Sequence, residues 1–308
     1  MSQITSSKTP QAGIFKEGAQ HMYFLEYRLN SQAALSATKK AIKHSLSSEK
    51  EAPNVDVVVS FGKQAWQVLQ PNWTPHTLAS FTTIEGQQGH CAISTQADLF
   101  FWLQGRDIGE VFDQAMQIQT AMQSVADLTL EQRGFDYHHN LDLIGFEDGT
   151  ANPKTDALKR EAAVISTGLP GEGGSLVLSQ KWVHDMAKWN EVPVHCQEGV
   201  IGRTKDENIE LEGEAMPDDS HISRTDLKVD GVPMKIYRRS APFGTLHEKG
   251  LMFLAFGCEL VRFSSQLESM YGLTEDKKID QLINYSTAVA SSYWFAPAVE
   301  DLQERLNA

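Results

Sequence analysis

The chain has 308 residues, 41% hydrophobic and 22% charged, with a formal net charge of −13 from 40 acids against 27 bases. This is a globular composition, long enough for one large domain or two ordinary ones, and too acidic to offer nucleic-acid phosphates a basic footprint. The longest apolar run, near 251–257, is far too short to span a membrane, and Cys91, Cys196 and Cys258 lack any CxxC pairing and read as free thiols in a reducing compartment.

The first twenty residues are polar, without the apolar core of a secretory signal, so residues 1–20 are expected to be a flexible lead-in and the protein to be cytoplasmic. "HMYFLEYRL" (21–29) reads as a strand and "SQAALSATKKAIKHSL" as a helix. The β-branched run "VDVVVSFG" (55–62) predicts a buried strand, "KQAWQVL" starts a helix, and "ADLFFWLQG" (97–105) is a further strand. Over 106–125 the spacing of Ile108, Val111, Phe112, Ala115, Ile118, Met122 and Val125 puts them on one face of a long helix.

The second half repeats this order. Segment 174–189 reads as strand then helix, 234–244 as strand then turn, and 250–272 as strand, glycine and helix. Shifting by 152 residues lays Leu99 on Leu251, Phe101 on Phe253 and Gly105 on Gly257. The matched order predicts a duplicated α+β protein built of two ferredoxin-like βαββαβ units with antiparallel sheets. The halves are set at 21–140 and 141–308, with a seam near 128–142 where the periodicity breaks.

One loop stands out. "LIGFEDGTANP" (143–153) runs from an apolar stretch into Asp148-Gly149 and Asn152-Pro153, both turn formers, yet a turn does not require Glu147 beside Asp148. A solvated turn and a catalytic carboxylate on a shaped loop both fit. Adjacent acids diverge, so they cannot face each other across a sugar. "IGRTK" (201–205) and "MKIYRRS" (234–240) are local basic spots that suit either a solvated strand or an anionic ligand.

Among ten histidines, His138 and His139 with Asp142 are candidate metal ligands lacking a second spaced pair. His184 falls in a helical segment, exposed or satisfied by a neighbour. His221, in "MPDDSHISRTDL", taken alone reads as a surface histidine, but Arg238 and Ser240 follow on the next strand and a hairpin can bring them near it. There is no HExxH, no GxSxG elbow, and "GEGGS" (171–175) lacks the Lys-Ser/Thr of a P-loop.

"GFEDG" (145–149) fits the GxxDG motif of the dye-decolourising peroxidases, and "VIGRTKDENIEL" (200–211), "DDSHISR" (218–224) and "KIYRRSAPFG" (235–244) resemble that family's other marked segments, in order. The resemblance covers about residues 20 to 300 and fits the cytosolic bacterial class. It implies one non-covalent haem b in the C-terminal half, with hydrogen peroxide and a bulky organic reductant, dyes or porphyrinogens, as substrates. It implies His221 as the proximal iron ligand, Asp280 as the carboxylate behind it, and Asp148 and Arg238 as the distal pair with Ser240 nearby. Arg203 is implied as a propionate partner, with Gly149 and Thr150 beside the cofactor. Relatives carry Asn at the place of Ser240, which leaves its role open. Adjacent strand residues face opposite ways, so only one of Arg238 and Arg239 can enter the pocket, and the resemblance implies that it is Arg238.

In such a site one acid takes a proton from peroxide and returns it, and a fixed cation stabilises the departing oxygen. An aspartate base predicts an acidic optimum. Tyr137, Tyr237, Trp102, Trp182, Trp189 and Trp294 are candidate surface oxidation points for dyes too large for the pocket. Competing readings are a haem or porphyrin carrier, which needs His221 but not Asp148 and Arg238, and a non-haem metal enzyme using His138 and His139. No nucleic-acid or membrane partner is expected, and apolar sheet edges suggest a homo-oligomer, a dimer or higher.

Overall fold

The computed structural model describes residues 8–47, 54–138 and 140–307. The first half runs β1 (His21–Leu29), α1 (Leu35–Ser47), β2 (Val55–Phe61), β3 (Leu99–Gly105), α2 (Ile108–Met122) and β4 (Ala126–Phe135). The second half runs β5 (Ser175–His184), α3 (Val194–Ile201), α4 (His221–Thr225), β6 (Tyr237–Arg238), β7 (Ala241–Gly244), β8 (Lys249–Gly257), α5 (Val261–Met270) and β9 (Ser286–Ala296).

These strands form one nine-stranded sheet in the order β6-β8-β5-β9-β2-β3-β1-β4, with β7 also paired to β8. Within each half the order is second, third, first, fourth strand, all antiparallel. That is the ferredoxin-like βαββαβ arrangement, made twice, as the repeat predicts. The strands aligned by the 152-residue shift, β3 and β8, hold the same place in each unit. The units join where Phe295 of β9 pairs with Phe61 of β2. At the other edge Gly134 of β4 lies against β7 so closely that a Cβ there would meet that of Ala241 at 2.7 Å.

The strand period of two sorts the core into layers. On β3 all seven residues are buried because the strand is covered on both faces. Leu99, Phe101 and Leu103 join the large core beneath α1, α2 and α5, while Phe100 and Trp102 join a second core on the other face with Phe24, Val177 and Trp294. Each such side chain contributes about 1.5–3 kcal/mol on full burial. Asp107 caps α2, its carboxylate accepting from the amides of Gly109 (2.8 Å) and Glu110 (3.0 Å).

Several expectations are corrected. The described part of the lead-in is built into the fold: the Gln11 side chain bonds both backbone groups of Val59 and Ile14 is buried, while residues 1–7 lie outside the described residues. The break in periodicity read from residue 128 is corrected to a strand, β4, whose alternating exposure hides its period in a run of polar residues. The buried face of α2 is Val111, Ala115, Ile118 and Met122, while Ile108 and Phe112 lie on an exposed flank with Met116. His184 ends a strand rather than sitting in a helix, and it is buried. No helix among the described residues is long and apolar enough to cross a membrane.

Candidate active site

On the helix-covered face of the second half's strands lies a cavity of about 1380 Å³, counting the part open to solvent. β5 contributes Leu178, Gln180, Trp182 and His184 to it, alternate residues that share one face of the strand. Leu251 and Phe253 of β8, Phe263, Leu267 and Met270 of α5, and Leu282 and Ile283 complete a largely apolar wall. Such a space suits a flat apolar ligand held by a few polar groups.

His221, Asp148, Arg238, Arg203 and Thr150 all line this cavity. His221 opens α4, which Ser220 caps by accepting from the Ser223 amide at 3.3 Å. The Nδ1 of His221 is 2.6 Å from Oδ2 of Asp280, which is completely buried. Asp280 caps the turn Gln281–Asn284, its Oδ1 accepting from the Leu282 amide at 2.9 Å, so the carboxylate is fixed rather than solvated. With Nδ1–H donated to Asp280, the Nε2 lone pair is the free coordinating atom of this imidazole.

Asp148 and Arg238 form an ion pair at 3.4 Å, both about one-fifth exposed. The Asp148 loop is folded on itself: the Asp148 amide donates to Asn140 O, and the Asp142 amide donates to Phe146 O. Glu147 is exposed and accepts from Asn208 Nδ2 at 2.7 Å, whereas Asp148 pairs with Arg238, although both acids border the cavity. Arg239 turns the other way, donating to Ile14 O (2.7 Å) and Gln104 Oε1 (2.8 Å). Burial lowers the pKa of Arg239.

Arg203 donates to Asn208 O at 2.9 Å and pairs with Glu210. Thr150 Oγ1 accepts from Asn208 Nδ2 at 2.7 Å. Ser240 and Gly149 do not line the apolar cavity; both line a second, polar cavity that shares Glu147, Asp148 and Arg238 with the first. His139 lies outside the described residues, and among those described there is no cluster of metal-ligating side chains of three or more. Of the candidate surface aromatics, Trp102, Trp189, Trp294 and Tyr237 are fully enclosed and Trp182 is buried in the cavity wall; Tyr137 alone of the six is partly exposed.

Two groups escaped sequence reasoning. His184 lines the cavity with Nδ1 2.8 Å from Ser286 Oγ and Nε2 3.1 Å from Asp142, at the root of the Asp148 loop. Asn152, read only as half of an Asn-Pro turn, exchanges two hydrogen bonds of 2.9 Å with the backbone of Arg238. Both depend on pairings across the fold that no local pattern announces.

A doubled ferredoxin-like sheet, with an apolar slot in its second half lined by an imidazole–carboxylate pair and an acid–guanidinium pair, defines a cofactor-binding protein of the α+β class. Family models for Dyp-type peroxidases match it over both halves, the N-terminal one at residues 11–136 and the C-terminal one at 139–301. The chain belongs to the Dyp-type peroxidase family. It is 31% identical to a dye-decolorizing peroxidase of Rhodococcus erythropolis over 82% of this chain and 75% of that one. It is 32% identical to one of Mycobacterium tuberculosis over 81% and 75% of the respective lengths. Among solved structures, a dyp-type peroxidase protein from Shewanella oneidensis superposes with a TM-score of 0.89 at 31% identity, covering 97% of this chain and 99% of that one. A variant of Rhodococcus jostii DypB, solved in complex with heme, gives 0.89 at 30% identity over 96% and 98%.

Proposed function

We propose that this chain is a haem b peroxidase that reduces hydrogen peroxide and oxidises organic donors, bulky dyes among them. Its family membership and the heme held by its DypB neighbour support the cofactor. The donor chemistry fits: an imidazole whose Nδ1 is taken by a buried carboxylate, in a slot walled by Trp182, Phe253, Phe263 and Leu267. The observation that carries the reading is that the Asp148–Arg238 pair and the His221–Asp280 pair border the same slot.

Bound there, haem would supply the redox chemistry that couples peroxide reduction to oxidation of a donor. His221 would hold the iron through Nε2, and Asp280, taking the Nδ1 hydrogen bond, would strengthen that donation and fix the ring. Asp148 would accept a proton from one peroxide oxygen and hand it to the other, so that the second leaves as water. Arg238, cationic at all working pH, would offset the charge growing on the departing oxygen. Arg203 would meet an anionic propionate, already aimed into the slot by Asn208 O and Glu210. Thr150 and Gly149 shape the turn that presents Asp148, and Ser240 borders the polar cavity on the side from which a small polar substrate reaches Arg238.

We further propose that 21–140 and 141–308 are the two halves, with every residue of this site in the second. A cytoplasmic location is supported by three cysteines that remain unpaired, Cys91, Cys196 and Cys258. A homo-oligomer is supported by the exposed stripe of Ile108, Phe112 and Met116 on α2. The porphyrinogen donors and the physiological reductant are open to direct assay. Peroxide-dependent dye bleaching by the haem-loaded chain tests the enzyme reading. Asp148→Asn separates it from a carrier, which would keep full function.

A further inference from the structure

We propose that Asn152 is the positioning residue that sets the separation of Asp148 and Arg238. The proposal rests on reading those two as the pair that handles peroxide. Arg238 lies on β6, a strand of two residues that meets β8 only at Tyr237↔Phe256 and Arg238↔Ala255. In an antiparallel pair, successive residues direct their backbone groups to opposite sides. The Arg239 amide accordingly donates to Leu254 O of β8 at 2.7 Å. The amide and carbonyl of Arg238 face the other way, off the edge of the sheet, where no further strand follows in the order of this sheet.

Asn152 occupies that place. Its Oδ1 accepts from the Arg238 amide and its Nδ2 donates to the Arg238 carbonyl, each at 2.9 Å. One planar carboxamide thus stands in for the peptide unit of a missing neighbouring strand, and among side chains only those of Asn and Gln present an amide acceptor and donor side by side in one plane. The other end of Asn152 is tied to the acid. Its amide donates to Gly149 O at 2.9 Å, closing a turn that begins one residue after Asp148. Gly149 has φ +84°, and a Cβ there would stand 3.2 Å from Asn152 Nδ2. Asp148 itself is held by its amide bond to Asn140 O. The short path from Asp148 through this turn to the Arg238 backbone fixes where the guanidinium begins, and the ion pair closes at 3.4 Å. Displacements near 1 Å at reacting groups cost on the order of 100-fold in rate.

The test uses the haem-loaded protein with Asn152→Ala and Asn152→Asp, reading amide hydrogen exchange at Arg238 and the steady-state constants for peroxide and for an organic donor. Asn152→Ala is expected to raise Arg238 amide exchange at least about tenfold and to lower kcat/KM for peroxide by about 10- to 100-fold. Haem content and the KM for the organic donor stay unchanged. Asn152→Asp keeps the acceptor for the amide but sets a carboxylate against the Arg238 carbonyl. It should retain protection and fall between the wild type and Asn152→Ala in rate, and it serves alone if the alanine variant does not fold. Unchanged exchange in Asn152→Ala, or faster exchange with an unchanged peroxide constant while Asp148→Asn is impaired, overturns the proposal. If Asp148→Asn and Arg238→Leu both leave the peroxide constant intact, the parent reading fails and the positioning role with it. Exchange at Arg238 would still report the clamp, so the two failures are distinguishable.

Discussion

Nδ1 of His221 lies 2.6 Å from Oδ2 of Asp280, a carboxylate with no solvent exposure. An imidazole so held has one tautomer and one free nitrogen, which is what an iron-binding histidine requires. Removing the negative charge while keeping the shape should weaken the grip on iron. Asp280→Asn is expected to lower haem affinity by about 10- to 100-fold. Titrating haem into the cofactor-free chain and following the Soret band measures this, and an unchanged affinity would deprive Asp280 of its proposed role.

Asp148→Asn retains size and polarity but cannot take a proton. Loss of a general acid–base group costs about 100- to 10,000-fold. The peroxide reaction of the variant, followed by rapid mixing, should slow by that order with its haem spectrum intact. A loss smaller than tenfold would mean that another group moves the proton.

Gly149→Ala forces a side chain into φ +84° and toward Asn152. Strain of this kind costs about 1–3 kcal/mol. Thermal unfolding should therefore begin at lower temperature, and peroxide turnover should fall more than haem content does. Wild-type values for both would show that the turn has room to relax.

Away from the slot, Glu26 on β1 sits between the two halves, bonded to Ser179 Oγ at 3.0 Å and Ser292 Oγ at 3.4 Å. Burial pushes its pKa up to about 7 from an ordinary 4.5, although both serine hydrogen bonds act to lower it. Between those values the folded chain holds a proton that the unfolded chain has lost, so this group makes stability fall as pH rises through that window. Above about 7 the cost is fully present. Glu26→Gln carries no such penalty. Its stability advantage over the wild type, from denaturant unfolding, should grow from pH 4.5 to 7 and then level off. An advantage independent of pH would mean that Glu26 ionises in the fold as easily as in water.

Dyes too large for the slot need an oxidisable group they can reach. Of the six aromatics singled out, Tyr137 is the partly exposed one, its ring 4.2 Å from that of His138. Tyr137→Phe is expected to lower turnover of a bulky dye while leaving the peroxide step unchanged. Equal dye turnover in the two proteins would remove surface oxidation at this residue.

Much of this molecule is legible in its sequence. The duplication showed in Leu99 and Leu251, because buried central strands must be apolar wherever they recur. That Arg238 and Arg239 face opposite ways follows from strand geometry, and the family's pattern says which of them enters the pocket. The family resemblance supplied His221, Asp280 and Asp148 as candidates, which periodicity could not have separated from surface residues. β4 was obscured because its exposed face alternates with half-buried positions and offers no apolar run. His184 was misplaced because "KWVHDMAKW" carries helical spacing that the strand pairing of His184 with Ser286 overrides. Asn152 was invisible because its partner is 86 residues away.

The central claim is that His221 grips the iron of a haem in this slot. Haem titrated into cofactor-free wild type and His221→Ala, read by absorption and by magnetic circular dichroism at the Soret band, tests it most directly. The wild type should saturate at one haem per chain with an imidazole-ligated spectrum, and His221→Ala should lose that signature and bind far more weakly. Identical spectra and affinities in the two proteins would contradict the account.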